Sequence, residues 1–200
     1  TGGDGCSTSI DAGKHSTIYC LASNDCKVAY TTNTYTSIRF ADCDNATCSL
    51  GSVSYIDGES GCSLAGCSTG EGDYMPSIHC PTGDDCKITF NSVSNNDLRF
   101  VDCDNATCDG SGGGTIKILD GTSGCTLGNC RTTDTVGKYS SIYCPNASDC
   151  KIEYYDSTSG NLKFADCDDA SCSLGKTITI DGNKMSQAPG VFTTTKTFGK

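Results

Sequence analysis

The chain has 200 residues, 17 of them cysteine, and a formal net charge of −10. So acidic a surface argues against a nucleic-acid backbone or an anionic membrane as partner, because both attract basic proteins. Cysteine at this density marks a disulfide scaffold for an oxidising compartment, in which cross-links supply what a thin apolar core lacks.

Residues 1–14 are rich in Gly, Ser and Asp and hold one cysteine, Cys6. The chain begins at Thr1 without Met and shows no signal peptide, so it reads as a mature, processed chain. No apolar run approaches the roughly 20 residues that a membrane-crossing helix needs, so membrane insertion is not expected.

From His15 a unit of about 60 residues begins and is used three times. Ile18-Tyr19-Cys20 reads as a short strand, and Cys26-Lys27-Val28-Ala29-Tyr30 runs back after a turn. Ile38 to Asp42 alternates apolar and polar residues, the pattern of a half-buried strand, and enters a turn bracketed by Cys43 and Cys48. Val53 to Ile56 makes a fourth strand that ends at Asp57-Gly58. The second unit repeats this through Ile78, Cys80, Cys86 and Leu98 to Cys108, ending at Asp120-Gly121. The third repeats it through Ile142, Cys144, Cys150 and Leu162 to Cys172, ending at Asp181-Gly182. Ile178 and Ile180 stand one residue out of phase with Val53/Tyr55 and Ile116/Ile118, so the apolar phase does not fix the fourth-strand register there. The expected division is an N-terminal segment 1–14, repeats 15–76, 77–138 and 139–182, and a C-terminal extension 183–200. Within that extension Val191, Phe192, Thr193, Thr195 and Phe198 have strong strand propensity and no evident partner in the repeats.

No segment has a helical period, so the fold class is all-β: three tandem four-stranded units. The cysteines pair most simply as local staples. Cys20–Cys26, Cys80–Cys86 and Cys144–Cys150 would close the first hairpins. Cys43–Cys48, Cys103–Cys108 and Cys167–Cys172 would close the second. Cys62–Cys67 and Cys125–Cys130 would close the connecting loops. Spacing alone does not prove connectivity. Cys6 is left over: it is either the anchor of an intermolecular bond or a cysteine whose loop partner the chain lacks.

The other constellations are weaker. There is no C-x-x-C, so zinc, iron–sulfur and c-type haem are not expected, and no cofactor is. Asp42/Asp44, Asp102/Asp104 and Asp166/Asp168, with Asp25, Asp85 and Asp149, could supply oxygens to Ca²⁺, but solvated turn carboxylates are the simpler reading. Lys27, Lys87 and Lys151, with Arg39, Arg99 and Lys163, are expected to balance Asp42, Asp102 and Asp166 on a solvated sheet face. Asn45, Asn105 and Asn146 open N-x-S/T sequons, and Asn also simply suits a turn. His15 and His79 lack a paired nucleophile, so an enzyme is not expected. Tyr19, His79 and Tyr143 share one strand position and could line a sugar-binding face.

The third repeat, with Ser141-Ile142-Tyr143-Cys144, Lys151 to Phe164 and Cys167 to Cys172, resembles a repeat of bacterial secreted and surface proteins associated with β-propeller blades. The resemblance covers about residues 15–182 and implies blade-like units and a cell-surface location; it carries no catalytic residues across. Three blades are too few for a closed propeller. Two functions follow as expectations. The first is an extracellular or cell-surface structural protein whose partner is itself, joined head to tail into a filament or layer by exchange of the terminal strand. The second is a secreted glycan-binding or adhesive module.

Overall fold

The computed structural model describes residues 12–32, 36–49, 51–69 and 73–182. Cys6 and the strand expected over 191–198 lie outside the described residues.

Twelve strands follow one another: β1 (Ala12–Ala22), β2 (Asp25–Thr32), β3 (Ser37–Cys43), β4 (Gly51–Asp57), β5 (Asp73–Thr82), β6 (Asp85–Ser92), β7 (Asp97–Asp102), β8 (Thr115–Asp120), β9 (Val136–Asn146), β10 (Asp149–Asp156), β11 (Asn161–Cys167) and β12 (Gly175–Asp181). They form three four-stranded sheets in sequence order, all antiparallel. The described residues contain no helix. The fold is therefore all-β, with three stapled four-stranded units, and it is not a closed propeller.

The register explains the sequence pattern. Cys20 faces Cys26 across β1 and β2, and Cys26 faces Cys43 across β2 and β3. Three cysteines thus form a row across each sheet, and chain-local partners are joined. The eight disulfides link Cys20–Cys26, Cys43–Cys48, Cys62–Cys67, Cys80–Cys86, Cys103–Cys108, Cys125–Cys130, Cys144–Cys150 and Cys167–Cys172. None joins one sheet to another. A chain with this set of bonds belongs to an oxidising compartment.

The fourth strand of the third unit is not shifted. Phe164 pairs with Ile178 as Phe40 pairs with Ser54 and Phe100 with Lys117. The ladder, with a bulge at the same place in each sheet, overrides the local apolar phase. Ile178 and Ile180 therefore stand on the opposite face from Val53 and Ile116.

Each sheet has two unlike faces, since successive side chains alternate across a strand. One face carries the cysteine row with Ile18, Val28 and Tyr30 and their counterparts; we call it the cysteine face. The other carries Ile38, Phe40 and Ile56 and their counterparts; we call it the phenylalanine face. One core joins Ile38, Phe40 and Ile56 of the first sheet to Ile78, Ile88, Phe90 and Val101 of the second. The other joins Leu98, Phe100 and Leu119 of the second sheet to Ile142, Ile152, Tyr154 and Ala165 of the third. Both seams thus press a phenylalanine face onto the cysteine face of the next sheet. Each fully buried Phe, Leu or Ile contributes about 1.5–3 kcal/mol. The middle sheet is covered on both sides, and every residue of β7 is buried.

Candidate functional site

The recurrent feature with polar chemistry is the seam between sheets. The Asp-Gly turns that end β4 and β8 place Asp57 and Asp120 there, and both are fully buried. Asp57 accepts from the Ser68 backbone N–H at 2.7 Å and from Arg99 Nη1 at 2.6 Å. Arg99 belongs to β7 of the following sheet, so this ion pair crosses the first seam. Asp120 accepts from Tyr154 Oη at 2.7 Å and from Lys163 Nζ, both of the third sheet. Burial and the Asp120 charge push the Tyr154 phenol far above its ordinary value, so it stays a donor. Each seam therefore carries one carboxylate from the leading sheet against one cation from the following sheet, inside an apolar surround. Desolvation sharpens such a pair and fixes the register of the two faces.

The sequence pairing of cations and carboxylates is corrected here. Arg39 binds Glu59 through Nε and Nη2 at 2.8–3.1 Å. Arg99 binds Asp57 and Asp97, and Lys163 binds Asp120. Only the lysines of β2, β6 and β10 meet the expected acids. Lys27 pairs with Asp25 and Asp42, Lys87 with Asp85 and Asp102, and Lys151 with Asp149 and Asp166. Nor is their face solvated in the first two sheets: Lys27, Asp42, Lys87 and Asp102 are all buried. Alternation along one strand cannot reveal that a second sheet covers the polar side. Burial holds the Asp42 and Asp102 carboxyls above the usual range, against the pull of their lysines. Burial pulls the Lys27 ammonium down, but its hydrogen bonds to Asp42 and Asp25 outweigh this and leave its pKa raised.

Tyr19, His79 and Tyr143 form a column rather than separate sites. Their ring centroids lie 4.5 and 4.9 Å apart, with His79 in the middle. Burial lowers the His79 pKa, which suits a neutral ring between two phenols. Of the sequon residues, Asn45 and Asn105 tie their own turns: the Asn45 oxygen accepts from the Thr47 and Ser49 backbones, and Asn105 Nδ2 donates to Asp109 at 2.7 Å and Ser111 at 2.9 Å. Asp169 takes this place in the third unit, accepting from the Ser173 N–H at 2.7 Å. Asn146 is exposed at the tip of the β9–β10 hairpin and accepts from the Ser148 N–H.

Among the described residues no group of three His, Cys, Asp or Glu side chains converges as metal ligands would. No described helix is long and apolar enough to cross a membrane.

What sequence reasoning missed is the seam pair. Its signal was present: Asp57, Asp120 and Asp181 recur at one turn, as Arg39, Arg99 and Lys163 recur on one strand. Comparison of the chain with family models, with curated proteins and with solved structures finds no match.

Proposed function

We propose that this chain is an extracellular structural protein that associates with further copies of itself, head to tail, into a filament or surface layer. The observation that supports this reading is the sense of the stack. Every seam joins a phenylalanine face to a cysteine face, so the described chain ends in one of each. The first sheet leaves its cysteine face open along β1, where Ile18 is 63% exposed, and the third leaves its phenylalanine face open. Unlike faces at the two ends give heterologous contacts, which propagate until they close a ring or continue as a helix. A face-to-face contact sustains this reading without calling on the strand expected over 191–198. The disulfides, each confined to one repeat, suit a protein that must stay folded outside the cell.

The test is direct. Chain produced in an oxidising compartment and purified without reductant is followed by analytical ultracentrifugation and negative-stain microscopy. Concentration-dependent polymers or rings are expected. A protein that remains monomeric at high concentration overturns the reading.

A further inference from the structure

The two open faces can be compared, position by position, with the covered ones. On the cysteine face, Ile78 and Ile142 are each 6% exposed, whereas Ile18, their counterpart in the first sheet, is 63% exposed. The Cys80–Cys86 and Cys144–Cys150 staples are buried within the two cores, whereas Cys20 of the matching staple is exposed. On the phenylalanine face, Ile56 and Leu119 are fully buried, and Ile180 of the third sheet is 45% exposed. Leu162 and Tyr155 of that face are each 38% exposed. The third sheet thus presents a contiguous apolar surface at a place where its two predecessors are dry. Such a patch marks an interaction site.

The polar groups are matched as well. Asp57 and Asp120 each take a cation from the next sheet, and Asp181 holds the same position at the end of β12, exposed. The cation at the corresponding place on the first sheet is Arg39, which lies over the Tyr55 ring and is only 3% exposed, as Cys43 of the same face is 2% exposed. Glu59 occupies its Nε and Nη2. Arg99 likewise spends Nε on its own sheet, at Asp97, and Nη1 on Asp57 across the seam. The Arg39 Nη1 lies outside the Glu59 pair. Glu153 of the third sheet has a neutral counterpart in the second. It stands where Thr89 stands in the second sheet, and Thr89 meets Ser140 across the seam at 3.1 Å. The counterpart of Ser140 in the first sheet is the hydroxyl of Ser16.

We infer that the contact between copies is the internal seam repeated: the open phenylalanine face of the third sheet seats on the exposed β1 side of the cysteine face of the first sheet of a second copy. This rests on the self-assembly reading above and names its surface. The column of rings then continues, Tyr143 of one copy against Tyr19 of the next.

Two exposed positions test it with little risk to the fold: Ile18→Asp spoils the head face only, and Tyr155→Arg spoils the tail face only. Each variant alone is expected to be a folded monomer by ultracentrifugation, with native circular dichroism and eight disulfides. Mixed in equal amounts, they should form one-to-one dimers and nothing longer, because one sound head and one sound tail remain. Normal polymers from either single variant, or a mixture that stays monomeric, overturn the seam assignment while self-assembly of the unmodified chain still stands. An unmodified chain that is itself monomeric overturns both.

Discussion

Lys87 is the most buried cation among the described residues, set between Asp85 and Asp102 in the doubly covered sheet. Its methylene stem packs while its ammonium neutralises a carboxylate that has lost its water. Lys87→Met keeps the stem and removes the charge, leaving Asp102 buried and unpaired. We expect a loss of about 3–5 kcal/mol at neutral pH, read from urea denaturation without reductant. The pH dependence of that loss has a definite sign. Burial raises the Asp102 pKa above its ordinary value even with Lys87 present, and the variant removes the lysine that opposes the rise. A raised carboxyl contributes stability that is present in full below the unfolded pKa, about 3.9, and lost as pH rises through the folded one. The penalty of Lys87→Met should therefore shrink as the pH is lowered from 7 toward 4. A penalty that stays constant or grows over that range would show that the Asp102 carboxyl is not the stranded group.

At the level of strands and turns, the backbone sets limits that composition does not advertise. Gly51 and Gly175 enter β4 and β12 at φ of +143° and +134°. A Cβ at either would collide with the carbonyl oxygen of Asp42 or Asp166 on the neighbouring strand. Gly175→Ala is expected to cost at least about 1–3 kcal/mol from the backbone conformation alone, measured as a fall in melting temperature. The strands themselves were legible, because period-2 runs repeated three times leave little room for another reading, and the turns carried Asn, Asp and Gly where turns need them. The chain-local spacing of the cysteines likewise pointed to the eight bonds that the repeats contain. Two things were not legible. The register of the fourth strand of the third unit stays open in the sequence, because the phase of Ile178 and Ile180 disagrees with that of the other two units. The ladder from Phe164 instead puts them on the open side. The lysine–aspartate rows looked solvated, because alternation reports two sides of one sheet and not what lies above it.

For the whole chain, the seam pairs were hidden for a related reason. Asp57 and Arg99 are 42 positions apart, and Asp120 and Lys163 are 43 apart. No local pattern links them until the sheets are stacked. The same stacking decides how the molecule would respond to force. Every staple spans only five or six positions and stays inside its own unit. A chain pulled from its ends is therefore free to shed one sheet at a time, and no covalent clamp transmits the load from one unit to the next. Single-molecule stretching should show up to three similar lengthening steps. Each staple withholds on the order of 15 Å of contour, the reach of its few residues less the span of the bond. Reductant should accordingly lengthen every step by a few such increments without changing their number, whereas a jump of tens of residues on reduction would reveal a bond between units. Extension is thus rationed sheet by sheet, and a stretched but oxidised chain recoils from three short tethers rather than one long one.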